Sequence, residues 1–133
     1  MWTSKVQSRV FTKITDEFSA DLKTKYNMTD ANFSVVDSNN KKSIFPFVFI
    51  KQIIPYEIPT DLERYTITLA SFTFQIDCYD NQSQQRVRNV ADEVLRIMKK
   101  YQFTCQQIPV YESENGVHRA IARYTITMGE HGI

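Results

Sequence analysis

This chain of 133 residues is poor in the residue types on which most catalytic and metal sites depend. It contains two histidines, two cysteines and three glycines. His118 and His131 stand at no ligand spacing from a cysteine or from each other, which argues against a zinc site. The three glycines lie in a turn (Gly116) and near the end of the chain (Gly129 and Gly132). The sequence therefore contains neither a glycine-rich phosphate-binding loop nor a nucleophile-elbow motif.

The chain also lacks an excess of charge and a long apolar run. Sixteen basic residues against fifteen acidic ones leave a net charge of +1, which gives no general attraction to nucleic acid or to anionic membranes. No apolar run approaches the length of a membrane span, and residues 1–6 lack the apolar centre of a signal peptide. Two cysteines do not make a disulfide framework. We therefore expect a cytosolic protein in which Cys78 and Cys105 are small, buried, reduced thiols.

No set of residues has the spacing of a catalytic constellation. The adjacent carboxylates Asp16-Glu17 and Asp92-Glu93 diverge by about a hundred degrees on a helix, so we interpret them as solvated helix faces. We expect no enzyme activity, no catalytic residue, no metal and no cofactor. An enzyme stays as an alternative, and it would need a pocket with converging titratable groups.

What the chain does contain is a high aromatic share and clear periodicity. Nine phenylalanines, seven tyrosines and one tryptophan bring the aromatic content to 13%. Apolar residues at three- and four-residue steps predict an amphipathic helix over residues 4–26. A second helix is predicted to begin near Asp80 or Ser83, either of which can cap it. Its predicted buried stripe is Val87, Val90, Ala91, Val94, Leu95, Met98 and Tyr101.

Apolar runs and turn signals place the strands between and after these helices. Strands are predicted over 33–36, 44–50, 65–79, 104–112 and 117–128, and a turn-rich segment follows the first of them. Pro46 cannot donate a ladder hydrogen bond, so it should lie at a strand start or on an edge. Asn115-Gly116 predicts a tight hairpin between the last two strands.

The order α-β-β-β-α-β-β predicts an α+β fold. We expect a mostly antiparallel sheet of about five strands, with both amphipathic helices packed on one face. The chain should form a single domain over 1–133, with residues 129–133 as a flexible tail.

The predicted strand over 65–79 changes the parity of its apolar residues. Tyr65, Ile67 and Leu69 occupy odd positions, whereas the bulky residues from Ala70 to Cys78 occupy even ones. Because strand side chains alternate between faces, the change predicts a bulge or twist near Leu69–Ser71 and a second apolar surface. That surface could belong to another copy of the protein.

The polar side of the second helix carries five cations: Arg86, Arg88, Arg96, Lys99 and Lys100. They could follow a phosphate backbone, which would make the chain a small nucleic-acid-binding α+β module. They could equally form a solvated face with cations near the helix C-terminus, where the helix dipole favours them. Asp92 and Glu93 interrupt the row, and the near-zero net charge favours the second interpretation.

Four segments in this order resemble a known family. They are the strand Phe45 to Lys51, the strand Ser71 to Tyr79, the helix Arg86 to Lys100 that ends in Tyr101-Gln102-Phe103, and the strand Arg119 to Gly129. The arrangement resembles the tail terminator proteins (also called tail completion or tail-to-head joining proteins) of long-tailed bacteriophages, over residues 6–129.

The resemblance implies a structural virion protein without an active site or a cofactor. Such a subunit forms a hexameric ring on the last ring of the tail tube, stops tube polymerisation and presents the docking surface for the head. Its implied partners are further copies of itself, the tail tube protein and a head–tail connector or stopper protein. Genomic DNA passes through the lumen without specific binding, and no membrane is involved. The implied location is the virion tail or neck, and the host cytoplasm during assembly.

A ring subunit needs lateral surfaces that close a cycle. An apolar loop and the odd-parity segment after it are the candidates for this contact, and the alternative is a loop folded onto its own core. The candidate residues are Ile53, Ile54, Tyr56, Ile58, Tyr65, Ile67 and Leu69. A connector or stopper subunit of the phage neck is an alternative function with the same ring, and it would bind one step nearer the head.

Overall fold

The computed structural model describes residues 1–35, 44–60 and 66–133. Within these ranges the fold is α+β, as predicted, with three α-helices and one open sheet of six mostly antiparallel strands. The predicted turn over 37–42 lies outside the described residues, as does the end of the strand predicted over 33–36.

The first helical segment is interrupted, so the prediction of one continuous helix over 4–26 is wrong. A 3-10 turn over Trp2–Lys5 leads into α1 (Val6–Glu17), and α2 (Ala20–Tyr26) follows after a break. Phe18 has extended backbone angles, and the Ser19 side chain accepts a hydrogen bond from the Leu22 amide as an N-cap. The apolar period continues through the break, which is why periodicity alone did not reveal it.

The sheet has the strand order β1-β2-β4-β6-β5, and β3 also pairs with β4. The strands are β1 (Phe33–Ser34), β2 (Phe47–Gln52), β3 (Tyr56–Glu57), β4 (Ala70–Asp80), β5 (Thr104–Glu114) and β6 (Val117–Met128). β1 is parallel to β2, and the other pairs are antiparallel. Pro46 stands directly before β2, as its missing N–H requires.

The parity change coincides with the start of β4. The bulge predicted near Leu69–Ser71 is absent from the pairing of β4 with β6. β4 begins at Ala70 and pairs residue by residue with β6 from Ala70↔Met128 to Asp80↔His118. The even-numbered apolar residues of β4 are buried under the helices, as predicted. Residues 66–69 precede the strand and belong to no ladder.

The core lies between the sheet and the helices. Val6, Val10 and Ile14 of α1 belong to one apolar cluster with Phe72 and Phe74 of β4. Most of the predicted stripe of α3 (Gln84–Lys100) belongs to the same cluster, so both helical segments cover one face, as predicted. The buried residues of α3 are Val87, Val90, Ala91, Glu93, Val94, Ile97 and Met98.

Two local signals of the sequence were correct. Ser83 caps α3 by accepting from the Arg86 amide, while the buried Asp80 carboxylate accepts from the amides of Gln82 and Ser83. Asn115 and Gly116 both have positive φ, 52° and 79°, and join β5 to β6 in a two-residue turn.

Candidate interaction surface

The apolar loop of the sequence analysis is held along the edge of β4. The Ile53 amide donates to the Thr73 carbonyl oxygen at 2.8 Å, and the Ile58 amide donates to the Leu69 carbonyl oxygen at 2.9 Å. Between these two points β3 pairs Tyr56 with Ser71. We call residues Ile53 to Ile58 the edge loop. Its backbone is fixed to the sheet by hydrogen bonds, which gives its side chains defined positions.

The edge loop presents two large apolar side chains to solvent. Ile54 is 88% exposed and Tyr56 is 61% exposed, while Ile53 and Ile58 are half-buried. Exposed apolar residues that cluster on an ordered element are typical of surfaces that contact another molecule. The loop does not fold back entirely onto its own core, because Ile54 and Tyr56 point away from it.

The segment after this loop is partly covered by the protein itself. Ile67 is half-buried and packs against the main core, and Leu69 is also half-buried. The Trp2 indole nitrogen donates to the Ile67 carbonyl oxygen at 2.7 Å, and the Trp2 ring contacts Phe72 edge-on. Tyr65 lies outside the described residues. The interface role predicted for these three residues stays a prediction.

An open cleft of about 550 Å³ lies beside this segment. Its lining residues are Met1, Trp2, Thr66, Ile67, Thr68 and Glu130. Among the lining residues that the structure describes, Glu130 is the one carboxylate. The residues predicted as a tail lie close by: Arg9 donates to the Glu130 carbonyl oxygen, and Ile133 packs against the main core.

A second exposed apolar pair lies on β5, and neither of its residues is among the predicted interface residues. Ile108 is 76% exposed and Val110 is 49% exposed. β5 ends the strand order, and its pairing with β6 shifts register between Cys105 and Gln107 and again between Gln107 and Val110. Exposed and half-buried residues alternate along β5, as in an ordinary strand with one face in solvent. Only the place of β5 at the end of the strand order shows that this strand forms an edge of the sheet.

The face of the sheet away from the helices carries a polar network. Arg119 donates to Asp77 Oδ2 at 2.8 Å, and both guanidinium contacts of Arg123 reach Gln75 Oε1 at 3.0–3.1 Å. Gln75 also donates to Asp77 Oδ1. Burial opposes the charge of Arg119, but hydrogen bonding and attraction to Asp77 raise its pKa above the ordinary value. These contacts depend on the β4–β6 register and were not predicted.

The cations of α3 are largely engaged with other groups of the protein. Arg86 pairs with Asp80 at 3.4 Å, Lys100 pairs with Glu17, and Arg88 lies over the Tyr111 ring at 5.2 Å. The hydrogen bond from Lys100 lowers the pKa of Glu17. The ion pairs with carboxylates of the protein weaken the attraction of this row for a phosphate backbone, which favours the solvated-face interpretation.

Glu93 corrects the interpretation of Asp92-Glu93 as a solvated pair. Its carboxylate is buried and accepts from the Ser19 amide at 2.8 Å, and Arg96 donates to both of its oxygens at 2.9 and 2.7 Å. Asp92 is exposed, as predicted. Glu93 therefore joins α3 to the break between α1 and α2, which explains why a carboxylate interrupts the apolar side of the helix.

The two thiols differ in environment. Cys78 is buried, as predicted, and burial raises its pKa above the ordinary value. Cys105 is only half-buried, so the prediction for it is wrong, although burial also raises the pKa of its thiol. His118 is half-buried on β6, and its Nδ1 lies 2.7 Å from Ser113 Oγ.

Together the described residues define an α+β protein with apolar side chains exposed at both edges of one sheet. Within residues 1–35, 44–60 and 66–133, no group of three or more His, Cys, Asp or Glu side chains is placed to hold a metal ion. None of the described helices has the length and apolar character needed to cross a membrane. No protein-family model and no curated protein sequence matches the chain.

Proposed function

We propose that this protein is a structural assembly subunit that caps the tail tube of a long-tailed bacteriophage as a ring. In this role it stops tube polymerisation and offers the surface onto which the filled head docks. The proposal joins the sequence resemblance to one structural observation. That observation is the pair of exposed apolar side chains, Ile54 and Tyr56, on an edge loop whose backbone is hydrogen-bonded to β4.

An assembly subunit benefits from such a loop because fixed apolar side chains bury area with little loss of conformational freedom. The proposed partners are other copies of the chain, the tail tube protein and a connector or stopper protein. DNA would pass through the ring without specific contacts. The proposed place of action is the virion neck, and the host cytoplasm during assembly.

The decisive experiment combines native mass spectrometry with negative-stain imaging of the protein and purified tail tubes. We expect a ring, hexameric by the resemblance, either in solution or at one end of the tubes. A protein that stays monomeric and neither caps nor binds tubes would refute the proposal. Binding to filled heads but not to tubes would instead support the connector or stopper function.

The nucleic-acid-binding alternative makes a different prediction. Phosphate contacts make affinity fall steeply with added salt. Arg86, Arg96 and Lys100 form ion pairs within the protein, which argues against nucleic-acid binding. A titration with duplex and single-stranded DNA at two salt concentrations separates the two functions.

A further inference from the structure

The two edges of the sheet carry matching apolar pairs. Ile54 and Tyr56 stand on the edge loop, whose strand β3 pairs with β4 off the main strand order, and Ile108 and Val110 stand on β5, which ends that order beyond β6. Natural proteins usually protect an open edge with charges, proline or a covering element. Here each exposed apolar pair flanks a proline, Pro55 on the edge loop and Pro109 on β5, so neither edge offers an unbroken row of N–H donors. The exposed side chains at both edges are still large and apolar, which predicts that another surface covers them.

One member of each pair, Tyr56 and Val110, also lies on the same face of the sheet. Tyr56 lies opposite Ser71, and Val110 lies opposite Ile121. Ser71 and Ile121 alternate with core residues of β4 and β6, so both point away from the helices. If a second sheet continued the first one at its edge, these side chains would therefore meet on a single face.

The strand directions suit such a continuation. β3 is antiparallel to β4, β4 to β6, and β6 to β5, so β5 and β3 run in opposite directions. A second copy added beside the first in the same orientation would place its β5 antiparallel to β3. β1 pairs with Val48 and Phe49, at the end of β2 away from the edge loop.

The charges of the two edges are also complementary when Val110 of one copy is placed beside Tyr56 of the other. Moving along β5 from Val110 toward the hairpin leads to Glu112 and Glu114, which are both exposed. In an antiparallel pair, the same direction on the partner leads from Tyr56 back to Lys51, which is exposed and faces away from the helices opposite Gln75. Apolar side chains thus meet apolar ones, and the acidic end of β5 approaches a lysine.

From these four observations we infer that β5 of one subunit docks edge to edge on the edge loop of a second copy, with the apolar side chains of the two edges in contact. The contact is heterologous, since each copy contributes a different edge, and such contacts generate rings when they close. A two-fold β5–β5 contact would leave Ile54 and Tyr56 uncovered. This inference rests on the proposed ring and specifies its lateral interface.

Two blocked variants test the inference. Ile54→Glu places a charge on the edge-loop side only, and Ile108→Glu places one on the β5 side only. Both positions are highly exposed, so thermal unfolding should match that of the wild type. Gln85→Glu adds the same charge at an exposed position of α3 and serves as the matched control.

We expect each blocked variant alone to be monomeric in native mass spectrometry, under conditions in which the wild type and Gln85→Glu assemble. An equimolar mixture, with one variant ¹⁵N-labelled, should form a 1:1 dimer and nothing larger, because only one intact pair of edges remains. Dimers of Ile54→Glu alone would show a two-fold β5 contact and overturn the inference. A mixture that stays monomeric would overturn it as well.

If the wild type assembles only on tail tubes, the same variants are scored there by negative stain. Each blocked variant should fail to complete a cap, and Gln85→Glu should cap normally. Wild-type rings or caps that survive both blocking substitutions would reject this interface and leave the proposed function standing. A wild type that neither assembles nor caps would reject the proposed function itself.

Discussion

Replacing Glu93 by alanine should destabilise the fold far more than a typical change on a helix surface. The Glu93 side chain is only 9% exposed and binds the Ser19 amide at the break between α1 and α2. The substitution removes the carboxylate that accepts from the Ser19 amide and leaves this half-buried N–H without that acceptor. Hydrogen bonds to charged groups contribute about 1.5–3 kcal/mol.

The Arg96 contact adds less to this loss. The Arg96 side chain is 53% exposed, so solvent screens the ion pair, and the pair should contribute about 0–1 kcal/mol. Together these contributions predict a loss of about 1.5–4 kcal/mol in the free energy of unfolding for Glu93→Ala. Glu93→Gln keeps an oxygen that can accept from Ser19 and loses the ion pair, so we expect a loss of about 1 kcal/mol.

Urea unfolding followed by circular dichroism measures these differences. Asp92→Ala removes the neighbouring carboxylate, which is exposed, and should change the free energy of unfolding by no more than about 0.5 kcal/mol. If Glu93→Ala were as mild as Asp92→Ala, the Glu93–Ser19 contact would not stabilise the helix break. If Glu93→Gln were as severe as Glu93→Ala, the ion pair rather than the amide contact would carry the effect.

Three further predictions concern the hairpin and the buried ionisable groups. Gly116→Ala should lower the free energy of unfolding by about 1 kcal/mol, measured in urea. The added methyl group has no close neighbour, so the whole loss comes from the φ of 79°, which alanine adopts with strain. In iodoacetamide labelling read by mass spectrometry, Cys105 should react well before Cys78, and equal rates would contradict the burial of Cys78. Burial raises the pKa values of Cys78 and Tyr124, so both stay protonated in the fold when the unfolded chain ionises. The free energy of unfolding should therefore be constant below about pH 8.5 and fall above it. The slope should be roughly 1.4 kcal/mol per pH unit for each group once that group has ionised in the unfolded chain. A free energy of unfolding that does not change up to about pH 10.5 would contradict this prediction.

The sequence predicted what depends on local chemistry. The Asn115-Gly116 turn follows from backbone preference at positive φ, and the cap at Ser83 follows from side-chain bonding to a free amide. The even-numbered core residues of β4 follow from strand alternation. Each of these rules involves residues within one turn or one strand, so a single sequence is enough to apply it.

What could not be predicted depends on contacts between distant residues. The helix break at Ser19 is stabilised by Glu93, which is 74 positions away in the sequence. From local residues alone, the parity change before β4 predicts a bulge, because nothing local shows that Leu69 precedes the ladder. The exposure of Ile108 and Val110 follows from the place of β5 at the end of the strand order, which pairing alone determines.

Trp2 gives this protein a built-in optical reporter. It is the single tryptophan of the chain, so indole fluorescence comes from one position. Its N–H bonds to the Ile67 carbonyl oxygen, and its ring contacts Phe72 at the start of β4. Indole emission responds to the polarity around the ring, so a partner that covers or displaces residues 66–69 would shift the spectrum. Assembly on this side of the molecule can therefore be followed in real time without attaching a label.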